Sequence, residues 1–167
     1  HTPLYAHAYA EYVTMADWET IRVPDGVPDR EAAMTEPLAH AVHTVKRSGL
    51  KLGDSVGIIG AGPIGLFCLQ AARAAGATTV IVSEPAPVRR QAAMELGADA
   101  VIDPTNTDVG SEMAARTDGQ GPHVVLECAG VPGTLQVALD AVRRAGKVVT
   151  GAICWEEQPI RTVDWIS

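Results

Sequence analysis

Asp54-Ser-Val-Gly-Ile-Ile-Gly-Ala-Gly-Pro-Ile-Gly65 decides the fold of this chain. An apolar strand pattern at 56–59 runs straight into Gly60, Gly62 and Gly65, and a long apolar helix pattern follows at 64–75. Glu84 closes the next strand, 19 residues after Gly65. Together these make the G-x-G-x-x-G fingerprint of a dinucleotide site in its required context, strand before and helix after. Each glycine has its own task. Gly60 lets the chain turn tightly off the strand, Gly62 lets backbone approach a pyrophosphate, and Gly65 lets the helix pack closely on the sheet. The helix N-terminus offers unpaired N–H groups and a partial positive charge to phosphates. Gly60, Gly62, Pro63, Ile64 and Gly65 are therefore candidate cofactor contacts.

From residue 54 onward strand and helix alternate. Short apolar runs rich in Val or Ile at 56–59, 79–83, 100–102, 124–127 and 147–151 read as buried parallel strands. Helices are expected at 64–75, 87–96, 109–116 and 134–144, with Gly76, Gly97 and Gly146 near their C-caps. Such β–α repeats with right-handed crossovers predict a doubly wound parallel α/β sheet, a Rossmann fold, in strand order 3-2-1-4-5, with the ligand at the switch between strands 1 and 4. A six-stranded version needs a further strand after residue 167, so the sheet is expected to miss its last strand.

Before residue 54 the pattern differs. Residues 8–13 alternate like a strand, and 20–24 form a second extended piece bounded by Pro-Asp turns. Both read as β elements of another domain. Helices are expected at 30–35 and 37–47, with Pro37 at a first helical position, where a missing N–H costs nothing.

The whole chain bounds what else is possible. At 167 residues it holds one domain with a real core and a piece of a second. A net charge of −7 argues against nucleic acid, because no basic patch is available to neutralise phosphates. No apolar run approaches the roughly 18 residues of a membrane span. There is no signal-peptide pattern, and the start at His1 in place of Met reads as processed or trimmed. Cys68, Cys128 and Cys154 are odd in number and widely spaced, which opposes a disulfide framework or a zinc knot built from this chain alone. Buried thiols in a reducing, cytoplasmic compartment are the expectation.

Four stretches in succession, Ala33-Ala-Met-Thr-Glu-Pro-Leu-Ala39, Gly60-Ala-Gly-Pro-Ile-Gly65, Glu84-Pro-Ala-Pro-Val-Arg-Arg90 and Glu127-Cys-Ala-Gly130, resemble signatures of the medium-chain, zinc-dependent alcohol dehydrogenase superfamily. The likeness runs from about Ala8 to the end and points to the sorbitol, 2,3-butanediol and threonine dehydrogenase branch; Gly151-Ala-Ile-Cys-Trp-Glu-Glu157 is similar to the butanediol members. The resemblance implies residues 1–26 as the tail of a GroES-like catalytic domain and 27–167 as a truncated NAD(P)-binding domain. It also implies a homodimer or homotetramer at full length, with an alcohol or ketone as small-molecule substrate. The family's zinc-binding Cys and His belong to a stretch this chain lacks. No catalytic residue is therefore expected within it, nor turnover by the chain alone.

Glu84 can accept hydrogen bonds from both hydroxyls of an adenosine ribose and repel a 2′-phosphate, which favours NAD over NADP. Arg89 and Arg90 pull the other way, since either can meet a 2′-phosphate; the resemblance puts Arg89 near that ribose. Glu36 reads either as a helix cap or, by resemblance, as a carboxylate approaching the zinc. His40 and His43 follow it at i+4 and i+7 on one helix face, where incidental histidines are the plainer reading. Cys128, Ala129 and Gly130 follow the fourth strand, where small residues let backbone approach the nicotinamide ribose. By resemblance, the backbone of Gly151, Ala152 and Ile153 holds the carboxamide. His123 reads as a loop residue, and Trp155 and Trp165 lie in a tail that a further strand would cover. Two other functions fit the same fingerprint: a zinc-free quinone or enoyl reductase using NADPH, against which Glu36 speaks, and a non-catalytic NAD(H) sensor.

Overall fold

The computed structural model describes residues 10–161. The chain forms two compact units, His1–Met34 and Thr35–Ser167. In the first, a 3-10 turn at Asp17–Glu19 and a short helix α1 (Asp29–Ala32) are the regular elements. The strands expected at 8–13 and 20–24 do not form among the described residues; positions 8 and 9 lie outside them. Thr20 is extended (φ −118°, ψ 147°). A strand persists only with a neighbour to share its ladder, and the described residues of this unit supply none.

The second unit carries the sheet. Its elements are α2 (Thr35–Ser48), β1 (Ser55–Ile59), α3 (Pro63–Ala74), β2 (Thr79–Ser83), α4 (Pro87–Glu95), β3 (Ala100–Ile102), α5 (Val109–Ala115), β4 (Val124–Glu127), α6 (Thr134–Ala141) and β5 (Lys147–Thr150). The five strands lie in the order β3-β2-β1-β4-β5, all pairs parallel. Alternation along each strand sends side chains to opposite faces. Val56, Ile58, Val80, Val82, Val124 and Leu126 meet Ala41, Leu69, Ala72 and Ala93 of α2, α3 and α4 on one side. Ile59, Ile81 and Val125 meet Val109, Met113, Ala138 and Ala141 of α5 and α6 on the other.

Local chemistry sets the element ends. In α2 the buried residues Ala41, Thr44, Val45 and Ser48 fall at helical spacing. The helix begins at Thr35, two residues before the expected Pro37, and Pro37 is tolerated there because the first four N–H groups of a helix have no partner anyway. Helices α3 and α4 close on left-handed Gly76 (φ +100°) and Gly97 (φ +97°), with Ala77 N–H bonded to Ala72 O and Ala98 N–H to Ala93 O. The expected helix at 134–144 stops at Ala141. Val142 turns extended, and Arg143 N–H bonds Pro122 O in place of a helical carbonyl. Gly146 is not its cap: Ala145 takes the left-handed conformation (φ 56°), and Gly146 is glycine because a Cβ would lie 2.8 Å from Arg143 O. No helix among the described residues is long and apolar enough to cross a membrane.

Candidate cofactor site

At the carboxyl ends of β1, β2 and β4 lies a cleft of about 590 Å³, floored by Ile59, Gly60, Gly62, Ser83 and Glu84. This is where a doubly wound sheet reverses its strand order and binds ligands. The three glycines of the loop are required for three different reasons. Gly60 has φ +96°, and a Cβ would lie 3.0 Å from the backbone of Ala129. A Cβ on Gly65 would come within 1.9 Å of Gly60 O, so the start of α3 rests directly on the loop. Gly62 has an unstrained φ of −71° and nothing within 4 Å of a would-be Cβ. Its lack of a side chain leaves open space in the cleft, beside the unpaired N–H groups of the first turn of α3. Pro63 and Ile64 form that first turn; Pro63 is exposed and Ile64 is half-buried against the core, and neither side chain lines the cleft.

Glu84 is buried (3% exposed) and holds the loop. Its Oε2 accepts from Ala61 N–H at 2.8 Å and its Oε1 from Ala86 N–H at 3.0 Å. Arg89 lies 3.9 Å from Oε1, largely exposed, and lines the cleft. Arg90 does not face a ligand: it donates to Glu84 O and Pro85 O at 2.7 and 2.6 Å and pairs with Asp103 at 3.0 Å. Of the two arginines only Arg89 remains to meet a phosphate.

The opposite wall is organised by Glu127, 1% exposed at the end of β4. Its Oε1 accepts from Ala129 N–H, Gly130 N–H and Thr134 Oγ1, each at 2.9 Å. An acid ending an otherwise apolar strand is a readable signal, since a buried carboxylate must find donors; its role was not among the expected ones. Cys128 lines the cleft with its Sγ 3.9 Å from that of Cys68. That thiol contact, then burial and the charge of Glu127, push the Cys128 thiol well above its ordinary range, so it stays neutral. Ala129 lines the cleft too. Gly130 (φ +64°) lies against the other expected segment, since a Cβ on it would be 2.8 Å from Ile153 O and 3.1 Å from Ala152 Cβ. Gly151 N–H bonds Glu127 O at 2.7 Å, and His40 Nε2 bonds Gly151 O at 2.8 Å. Gly130, Gly151, Ala152 and Ile153 thus gather beside the cleft without lining it. The β3–α5 loop and the first turn of α5 supply a wall that sequence reasoning did not mark: Thr105, Thr107 and Asp108 from the loop and Gly110 from the helix.

Glu36 is exposed at the second position of α2, so it is not the helix cap. His40 and His43 are exposed as well. Among the described residues no three His, Cys, Asp or Glu come together to hold a metal. The site thus fits a dinucleotide, with a glycine cradle that a Cβ would fill and a row of unpaired helix N–H groups. It does not by itself fit zinc.

Known proteins share this arrangement. The family described as zinc-binding dehydrogenase matches residues 63–166. An L-threonine 3-dehydrogenase of Pyrococcus abyssi is 44% identical over 84% of this chain and 40% of its own length. A sorbitol dehydrogenase of Bacillus subtilis is 36% identical over 95% of this chain and 45% of its own. The crystal structure of 2R,3R-butanediol dehydrogenase from Bacillus subtilis superposes with a TM-score of 0.80 at 39% identity, covering 87% of this chain and 42% of that one. A putative zinc-binding dehydrogenase from Sinorhizobium meliloti, bound to NADP, gives a TM-score of 0.74 at 40% identity, covering 78% of this chain and 39% of that one. The chain therefore spans less than half the length of the relatives it matches. With the glycine loop, the buried acid and the switch-point cleft in place, and the family's signature running from the first turn of α3 onward, this chain belongs to the zinc-binding dehydrogenase family.

Proposed function

We propose that this chain is the dinucleotide-binding part of a dehydrogenase that oxidises a secondary alcohol, with NAD as the preferred cofactor. The observation that carries the reading is the cleft at the end of β1, where Gly62 leaves open space next to the first turn of α3. There the chain's own groups divide the work. The N–H groups of Gly62, Ile64 and Gly65, at the start of α3, receive a pyrophosphate. Glu84 sets the charge at the ribose end, with Arg89 beside it as the cation that softens a preference against a 2′-phosphate. The wall at Cys128 and Ala129 and the neighbouring segment 151–153 are assigned to the nicotinamide half. A nicotinamide bound there supplies the hydride acceptor, while the protein supplies position and exclusion of water.

The names of the relatives support a vicinal diol, a polyol or a hydroxy amino acid as substrate class. We assign residues 1–26 to a companion catalytic domain and Glu36 to the surroundings of the metal in the whole enzyme, which we take to be a homodimer or homotetramer. For the chain alone we assign binding and not turnover.

The test is a paired titration of the chain with NADH and NADPH, followed by the fluorescence of the reduced nicotinamide. Saturable NADH binding, at least about ten-fold tighter than NADPH, is expected, a gap of about 1.4 kcal/mol. Equal binding would remove the NAD preference and leave the fold reading intact; absence of both would remove the cofactor site.

A further inference from the structure

At the amino-terminal edge of the sheet, away from the dinucleotide cleft, lies a second cleft of about 290 Å³. Ser55, Thr79, Arg116, Asp118, His123 and Arg143 are among its lining residues. One atom in it is out of balance. Arg143 Nε is buried with no hydrogen-bond partner, and its guanidinium makes no ion pair or hydrogen bond among the described residues. Native folds rarely bury a donor unpaired unless an ion or a water completes it.

The neighbours narrow what completes it. His123 is committed to structure: its Nδ1 accepts from Ser55 N–H at 3.1 Å and bonds Ser55 Oγ at 2.8 Å, and its Nε2 lies 3.7 Å from Asp54. The hydroxyls of Thr78 and Thr117 donate inward, to Gly53 O and Met113 O. Arg116 gives one nitrogen to Glu112 and keeps its other N–H groups. The Thr79 hydroxyl has no partner among the described residues. What remains unspent is a set of donors led by a planar guanidinium, and that geometry matches the oxygens of phosphate. Asp118 is the carboxylate among the lining residues, and it makes no ion pair among the described residues.

We propose that this cleft is a binding site for a small oxyanion of phosphate size, held by Arg143 with Arg116 and Thr79. It shares no lining residue with the dinucleotide cleft and does not depend on that reading.

The experiment is thermal denaturation of the 167-residue chain in chloride buffer at fixed ionic strength, with inorganic phosphate added, for wild type, Arg143→Met and Asp118→Asn. Asp118 sits in the left-handed region (φ 53°), where Asn is equally at home, so that variant keeps the backbone and removes only the rim charge. Expected are a saturable rise of the midpoint in wild type, phosphate binding weakened at least about ten-fold in Arg143→Met, and binding tightened in Asp118→Asn. In chloride alone Arg143→Met is expected to melt no lower than wild type, since it removes an unpaired buried donor. Glycerol phosphate in a parallel arm separates the sources: tighter binding than inorganic phosphate identifies a phosphomonoester, weaker binding the free anion. The proposal falls if phosphate produces no saturable shift, or if the shift survives Arg143→Met undiminished, which would place the anion at the glycine loop. It falls equally if Asp118→Asn leaves the affinity unchanged.

Discussion

Three glycines within six residues make different demands on the chain, and substitution by Ala tells them apart. Gly65→Ala places a methyl within 1.9 Å of a carbonyl that cannot retreat, and should cost about 3 kcal/mol or more. Gly60→Ala should also destabilise, through its positive φ and the backbone of Ala129. Gly62→Ala meets nothing in the protein. It should melt like wild type and yet bind NADH at least about ten-fold more weakly. Denaturation curves and NADH titrations on the three variants check this; a Gly62→Ala that binds normally would contradict the role given to the open space. Glu84→Ala should lower stability by about 1–3 kcal/mol, because it strands the N–H groups of Ala61 and Ala86. At this scale the places of the glycines and Glu84 at the cleft were legible in their spacing, and that of Arg89 only through the family resemblance. Glu127 and Arg90 were not. Their roles lie in bonds that the closed fold creates, and a strand-end acid or a helix arginine looks the same in sequence whether it faces solvent or pins a loop.

Helix α4 is bound to the sheet through Arg90, which joins the ends of β2 and β3 through Glu84 O, Pro85 O and Asp103. Asp103 in turn accepts from the Thr105 hydroxyl and N–H and from Asn106. The Thr105 hydroxyl first, then its N–H and the Arg90 charge, hold the Asp103 carboxyl below its usual range. Asp108, the cap of α5, is lowered likewise by Ser111 N–H. A carboxyl whose folded pKa is depressed stabilises the protein above its unfolded pKa, about 3.9, and loses that contribution as pH falls through the folded value. The melting midpoint should therefore fall as the pH drops below about 4. Asp103→Asn should lower the midpoint at neutral pH and flatten that acid limb; an unchanged limb would mean the β3–α5 loop opens before it titrates. Arg90→Met should cost about 1–3 kcal/mol at pH 7, whereas Arg89→Met, at an exposed position, should leave stability alone and weaken NADPH more than NADH. Element positions were legible from apolar runs and glycine stops. The end of α6 was not, because Val142 leaves the helix to meet Pro122, a partner distant in sequence.

The described residues of the second unit build one sheet with a core on each face, and its strand order was legible from the β–α alternation taken together with the dinucleotide fingerprint. The strands expected before residue 54 failed for the converse reason: a period-two pattern names a face and not a partner. Because both cores share the same strands, loss on either side should weaken one common transition. Leu69→Ala on one face and Met113→Ala on the other should each cost about 2–5 kcal/mol, read as a single shifted unfolding curve by circular dichroism. Two separate transitions would show that the faces unfold independently. The carboxylate of Glu84 grips Ala61 N–H from within the protein itself. A loop held in this way is a rigid mould. Capturing a molecule costs it little ordering entropy, so arrival runs at the rate of encounter, and ligands of different affinity differ chiefly in how long they stay.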